Sequence, residues 1–254
     1  MILHGDCIEK LKEIKEKSIR CVVTSPPYAA TREDAYQTVS EAEYPEWTVR
    51  WMNEVKRVLT DDGSVLMTIR PMIKHGQISD YVMRTRLALR DAGWIECEEL
   101  IWHKPDAPPL GSTYRPRRCW EHILWFSLNK NPYINLRSLN IYSDRVGVLG
   151  SKRFGNKYIH KQREVQAGIA KDSDVIVAYI AHNSVGVMHP AQYPLTLAKQ
   201  LIKRFSEEND TVLDPFAGGG TTLLAAKELN RNFVGIELEE KYIEIIKERL
   251  CIDS

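Results

Sequence analysis

DTVLDPFAGGGTTLLAAKEL, residues 210–229, changes character twice within one short stretch. Thr211 to Leu213 read as a strand that runs into Asp214. A loop with three consecutive glycines, Gly218 to Gly220, follows, and behind Thr221 a helix is expected from Thr222 to Leu229. Consecutive glycines between strand and helix permit positive φ and let a ligand come close to backbone amides. A phosphate-cradling loop would need Lys after the last glycine, where Thr221 stands, and a dinucleotide fingerprint would need a third glycine where Leu223 stands. The next strand, NFVGIE, ends at Glu237, seventeen residues after Gly220, where a carboxylate can accept both hydroxyls of a ribose. The pattern points to a nucleoside that carries no pyrophosphate.

Working outward, short apolar runs alternate with helical periodicity. Strands are expected at MILHGD, at Cys21 to Thr24, at SVLMTI after an Asp62-Gly63 turn, from about Glu98 to His103, and at Ile123 to Ser127. Helices are expected over Cys7 to Glu16, Pro45 to Leu59, about Ile78 to Ala92, Leu195 to Phe205 and Glu239 to Leu250. This alternation predicts an α/β fold with a largely parallel sheet and helices on both faces. From about Asn129 to Val187 the periodicity weakens and the stretch reads as an insertion. No internal repeat is visible.

A second stretch, CVVTSPPYAA (residues 21–30), ends its strand stiffly. Each proline ring fixes φ and removes an N–H donor, so Pro26 and Pro27 form a rigid surface that can accept hydrogen bonds but not donate them.

Charge is distributed unevenly. The net charge is +1, yet residues 111–166 hold eleven Lys or Arg against three acids, interleaved with Tyr114, Trp120, Tyr133, Tyr142, Phe154 and Tyr158. Such a composition suits a polyanion surface. The five cysteines are scattered without a CxxC and the seven histidines are equally dispersed, so neither a disulfide framework nor a metal site is expected. No run of about 18 apolar residues and no basic-then-apolar leader is present, so a membrane span is not expected and the cytoplasm is the expected location.

DPFAGGGTT, GIE, TSPPY and HPAQYP together resemble the motifs of the S-adenosylmethionine-dependent amino methyltransferases of DNA. Their order, TSPPY first and glycine loop last, resembles the beta class of that family. The resemblance implies a circularly permuted Rossmann-like methyltransferase fold, with a seven-stranded, mostly parallel sheet and helices on both faces. It further implies a catalytic and cofactor-binding core over 1–128 and 188–254, with a target-recognition insertion at about 129–187.

Carried over by position, Asp214, Pro215, Phe216, Ala217, Gly218 and Gly220, followed by Thr221 and Thr222, would wrap the methionine part of S-adenosyl-L-methionine. Glu237 would hold the ribose, Asp6 with the Cys7 backbone the adenine amino group, and His189, Pro190 and Tyr193 would lie under the methionine end. Gly219 replaces the serine common in the family. Ser25 and the Pro26 carbonyl would accept from the target amine, Pro27 would stiffen the platform, and Tyr28 would stack on a base flipped out of double-stranded DNA. An exocyclic amine is a weak nucleophile because its lone pair is delocalised, and fixed acceptors around its hydrogens favour the pyramidal geometry needed for attack.

Methylation at a ring carbon would require a thiolate carried as Pro-Cys, and none of the twelve prolines precedes a cysteine. Serine before the two prolines is commoner within the family for cytosine N4, and Asp or Asn for adenine N6. Cytosine N4 is therefore the expected target, with adenine N6 the alternative and a catalytically silent nucleic-acid-binding subunit a more distant one. Methylation of protein glutamine is disfavoured by motif order and by Ser25. Arg115, Arg117, Arg118, Lys152, Arg153 and Lys157 are the expected DNA contacts, and Trp102, Lys104, Arg117 and Trp120 the expected border of the base pocket. The polar loop Ala29 to Glu43 is expected to close over the base. A cognate restriction endonuclease and self-association as a homodimer are the protein partners that the resemblance admits.

Overall fold

The computed structural model describes residues 1–29, 39–109, 113–143, 148–154, 157–163, 168–180 and 193–252, with backbone only for 143, 148–154 and 157–163. In chain order the elements are β1 (Ile2–His4), α1 (Cys7–Leu11), β2 (Ile19–Thr24), α2 (Tyr44–Val58), β3 (Leu59–Ile69), β4 (Ile73–Lys74), β5 (Gln77–Ile78) and α3 (Tyr81–Asp91). They continue with β6 (Ile95–His103), β7 (Trp120–Ser127), β8 (Tyr142–Ser143), β9 (Val148–Phe154), β10 (Lys157–Arg163), β11 (Gly168–Ile169) and β12 (Val175–Val177). The last five are α4 (Leu195–Phe205), β13 (Thr211–Asp214), α5 (Thr221–Glu228), β14 (Asn232–Glu237) and α6 (Glu240–Leu250).

Eight strands form the main sheet in the order β1-β14-β13-β2-β3-β7-β6-β12. All run in one direction except β7, which lies antiparallel to both neighbours. Central strands are buried on both faces, which is what continuous apolar runs such as CVVT achieve in a parallel sheet. Side chains alternate accordingly. Val22, Val65, Met67 and Leu213 pack against α1, α2 and α3 through Leu11, Trp51, Val55 and Tyr81. Cys21, Val23, Leu66 and Val212 pack against α4 and α5 through Leu201, Phe205 and Ala225. Helix α6 packs beside α5, with Ile246 and Leu250 on Leu223.

Four expectations are corrected. The main sheet has one strand more than the expected seven: Val175–Val177, placed in the insertion by sequence, pairs parallel with β6 and buries Ile176. A three-residue run is too short to show a period of two, so its pattern gave no signal. The helix expected to Glu16 ends at Leu11, because Lys12, Glu13 and Ile14 bond three residues back, to Glu9, Lys10 and Leu11, and the chain tightens into a turn. The helix expected from Ile78 begins at Tyr81, since Ile78 is paired in the β4–β5 hairpin. Asp62-Gly63 is not a turn but lies inside β3, where the register against β2 shifts between Ile19 and Cys21. A Cβ at Gly63 would stand 2.9 Å from the Arg20 carbonyl, so the irregular pairing needs glycine.

Within the expected insertion, Tyr133 and Asn135 donate backbone bonds to Asp62 and Arg204, holding this stretch against the core. Strands β9 and β10 pair antiparallel with Lys152 opposite Ile159 and Arg153 opposite Tyr158. Most of the loop expected to close over a base, 30–38, and the pair His189 and Pro190 lie outside the described residues.

Candidate active site

The chain turns away in opposite directions from β13 and β2, which lie side by side, so the crevice beyond their carboxyl ends is the topological switch point of the sheet. Asp214 closes β13 and is buried. Thr24 Oγ1 donates to its Oδ1 at 2.7 Å, and the Phe216 N–H donates to the same oxygen at 3.1 Å. Its Oδ2 receives Thr222 Oγ1 at 2.5 Å and the Tyr193 hydroxyl at 3.3 Å. Thr222 and Tyr193 are also hydrogen-bonded to each other. Asp214 thus fastens the end of β2 to the glycine loop and the start of α5. Burial raises its carboxyl above the ordinary value, and these hydrogen bonds offset only part of the rise. With two protein donors on each oxygen, the Asp214 carboxylate is filled, and with Tyr193 it positions the loop.

Gly220 caps α5 with φ +76°, and a Cβ there would lie 3.1 Å from Ile246 Cγ1, so glycine satisfies both the left-handed backbone and the close helix. Arg249 of α6 donates to the Gly219 carbonyl and, at 3.3 Å, to Thr221 Oγ1. Phe216 sits between Trp47 and Trp51 of α2, ring centroids 5.4 and 5.3 Å away. The loop is therefore held from both faces of the sheet.

Glu237, at the end of β14, accepts the Gly218 N–H on Oε2 at 2.7 Å and the Glu239 N–H on Oε1 at 2.9 Å. Burial raises its carboxyl, and those two amides offset part of the rise. A carboxylate that takes a loop amide would repel a phosphate, whereas its remaining lone pairs suit a diol. The residues present therefore fit a nucleoside without phosphate. Asp6 caps α1, accepting from Ile8 at 2.9 Å and Glu9 at 3.3 Å, and so stands beside Glu237 at the neighbouring strand end, where the Gly5 N–H donates to the Glu237 carbonyl. Cys7 is buried, and its thiol is pushed up to about 12, by burial first and Asp6 second.

Across the crevice, the TSPPY stretch leaves β2 with Pro26 buried and Ser25, Pro27 and Tyr28 partly buried. The Tyr28 hydroxyl donates to Glu121 Oε2 at 2.6 Å. Burial, with Glu121 second, lifts the phenol well above its usual value. Lys104 Nζ donates to Glu121 Oε1 at 2.6 Å, and Arg70 Nη1 lies 3.8 Å from the same oxygen. Glu121 reaches this end of the sheet because β7 runs antiparallel, which brings its first residues level with the last residues of β6. Sequence reading missed Glu121 and Arg70. A lone acid in a basic stretch, RPRRCWEH, was the only available signal.

Among residues expected at the base pocket, Trp102 is core, its indole donating to the Ala178 carbonyl at 2.8 Å, and Lys104 is buried 4.8 Å from the Trp102 ring centroid. Trp120 is 44% exposed, and Tyr114, which stands near Arg115 in sequence, is 95% exposed. Arg115 and Arg117 are exposed and brace the carbonyls of Gly76 and Ala107, while Arg118, partly buried, donates to Pro71. Lys152, Arg153 and Lys157 lie on β9 and β10. Among the described residues no cluster of His, Cys, Asp or Glu could hold a metal, and no helix is long and apolar enough to cross a membrane.

Fold and site together define an α/β protein with a nucleoside crevice at the switch point. The chain belongs to the DNA methylase family of N6 and N4 type, whose model matches residues 19–248. It is a DNA methyltransferase of the amino-group class. Among characterised relatives it is 33% identical over 236 residues to the Type II methyltransferase M.HindIII of Haemophilus influenzae, covering 84% of this chain and 71% of that protein. It is 27% identical over 283 residues to the Type II methyltransferase M.XycI of Xanthomonas campestris pv. cyanopsidis, covering 98% and 87%. Its fold matches that of PvuII DNA methyltransferase (cytosine-N4-specific) with a TM-score of 0.77 at 23% identity, covering 100% of this chain and 86% of that one. A putative DNA modification methylase of Thermus thermophilus superposes with a TM-score of 0.65 at 25% identity, covering 98% and 93%.

Proposed function

We propose that the protein methylates the exocyclic N4 amino group of cytosine at specific sites in double-stranded DNA. The observation that carries this reading is the 2.7 Å bond from Thr24 to Asp214, which joins the strand ending in Ser25-Pro26-Pro27-Tyr28 to the strand ending in the glycine loop. Acceptors for an amine and a cradle for a nucleoside thereby face one crevice. The cofactor is S-adenosyl-L-methionine, which supplies a methyl group made electrophilic by a sulfonium. Glu237 holds the ribose, Asp6 the adenine, and the loop from Asp214 to Gly220 the methionine end. His189 and Pro190 complete that end of the site.

Ser25 Oγ and the Pro26 carbonyl accept the amine hydrogens and steer its lone pair to the methyl carbon, while Tyr28 supports the flipped base. Serine at position 25, where a carboxylate or amide would suit adenine, favours cytosine. The stretch 129–187 is the target-recognition region, with Lys152, Arg153 and Lys157 on phosphates alongside Arg115, Arg117 and Arg118. The Type II names of the relatives support a cognate restriction endonuclease as a partner in the same cytoplasm.

Transfer of tritiated methyl from S-adenosylmethionine to duplex DNA, followed by nucleoside chromatography, tests the reading. Label in N4-methylcytosine is expected. Label in N6-methyladenine would overturn the choice of base, and no labelled nucleoside across several genomic DNAs would overturn the activity.

A further inference from the structure

Strand β3 ends beside β2, and the register that pairs Met67 with Thr24 carries Arg70 alongside the prolines of TSPPY. The backbone is pinned there. The Tyr81 hydroxyl donates to the Arg70 carbonyl at 2.6 Å, Arg118 Nη2 donates to the Pro71 carbonyl at 2.5 Å, and the proline ring fixes its own φ. The Arg70 side chain is held far more loosely. It is 34% exposed, and among the described residues its one acidic neighbour is Glu121, with Nη1 at 3.8 Å from Oε1, beyond hydrogen-bond length. That oxygen already receives Lys104 at 2.6 Å, and the other receives Tyr28 at 2.6 Å. Lys104 balances the Glu121 charge, so Arg70 is surplus, and a long, partly exposed pair adds little stability.

Arg118 is surplus as well, since its partner is a carbonyl and, among the described residues, it forms no ion pair. Burial and, after it, the Arg70 charge lower the Arg118 value, as expected for two cations held close together. Adjacent like charges repel and return nothing within the chain. They suit an anion that arrives from outside, and paired guanidinium forks match phosphate oxygens in shape as well as charge. A base that leaves the duplex to lie on Tyr28 draws its own phosphodiester towards this rim, where the Glu121 carboxylate alone would repel it.

We propose that Arg70 and Arg118 form a phosphate subsite on the target wall, which grips the backbone phosphodiester of the flipped nucleotide. The subsite lies outside the stretch 129–187, and Arg70 gives it a donor that duplex DNA with all bases stacked does not engage. Because only a flipped target brings a phosphate here, the inference rests on the proposed reaction.

Arg70→Gln tests it, with kcat/KM for methyl transfer to genomic DNA measured across a salt series. At low salt kcat/KM is expected to fall about tenfold or more, the worth of a charge-assisted bond. The slope of log kcat/KM against log salt should become shallower by about one, the mark of one lost phosphate contact. Affinity for poly(dA)·poly(dT), which holds no cytosine to flip, should stay within about twofold of wild type, and the Kd for S-adenosylmethionine within about threefold. Arg70→Lys, which keeps the charge, should restore the slope.

A kcat/KM within about twofold of wild type would overturn the proposal. So would an unchanged salt slope, which would place Arg70 on the base or in the frame, or a slope in Arg70→Lys as shallow as in Arg70→Gln. An equal loss of affinity for poly(dA)·poly(dT) would make Arg70 a general duplex contact and overturn it too. Should Arg70→Gln fail to fold, Arg118→Gln is read by the same slope, and an unchanged slope there removes the subsite. A wild-type protein that labels no base amine fails the underlying reading instead, and that result is separate from active wild type beside a normal Arg70→Gln.

Discussion

The two walls of the crevice are built differently. On the cofactor wall, Asp214 accepts from Phe216, Thr222 and Tyr193, 2, 8 and 21 residues away, and from Thr24 at the end of β2, while Glu237 accepts from the backbone of Gly218 and Glu239. On the target wall, Tyr28 bonds to Glu121, 93 residues away, and Glu121 in turn to Lys104 across paired strands. The first wall uses carboxylates to hold backbone and loop in place. The second uses a carboxylate to orient a hydroxyl. Damage to the first should therefore appear in stability and cofactor affinity, and damage to the second in turnover.

The largest effect is expected from Asp214→Ala. It removes the acceptor of Thr24, Thr222, Tyr193 and the Phe216 amide in a buried site, and should lower unfolding free energy by roughly 3 kcal/mol or more in urea titrations. A loss under about 1 kcal/mol would show that Asp214 is not the clasp between the walls.

Glu237→Gln comes next. It should weaken S-adenosylmethionine binding about ten- to hundredfold by calorimetry, the worth of a charge-assisted bond, while shifting the unfolding midpoint little. Unchanged affinity would remove Glu237 from the ribose site. Arg249→Ala, which loosens the loop only from behind, should weaken the same binding less than about tenfold.

The smallest effect concerns thiols. With Cys7 pushed up to about 12, on the order of one thiol in ten thousand is ionised at pH 8, and that fraction rises with pH. Cys21, raised by burial, is protected in the same way, so exposed Cys251 should be alkylated long before either. Rapid labelling of Cys7 in the folded protein would mean that the cofactor wall opens.

The same difference explains what could be read from sequence. DPFAGGGTT and GIE were legible because strand, loop, acid and helix follow one another, and the structure brings them together as local bonds dictate. TSPPY was legible as a stiff end to β2, because tandem prolines state their stiffness directly. Glu121 was not. Its place depends on β7 running against its neighbours and on the pairing of Trp102 with Glu121, neither of which leaves a trace in the residues around it. Trp102 and Lys104 show the converse: each looked like a base-pocket residue by type, yet burial against Ala178 and Glu121 makes both part of the frame. The strand Val175–Val177 was hidden for lack of length, and the bulge at Gly63 was hidden because Asp-Gly is usually a turn.

The division of labour between the walls is tested most directly by Tyr28→Ala, with S-adenosylmethionine affinity and methyl transfer to duplex DNA measured on one preparation. Cofactor Kd should stay within about threefold of wild type while transfer falls about ten- to hundredfold, the size of one base-aromatic contact. Equal loss of both would contradict the assignment of Tyr28 to the target and the separation of the two walls.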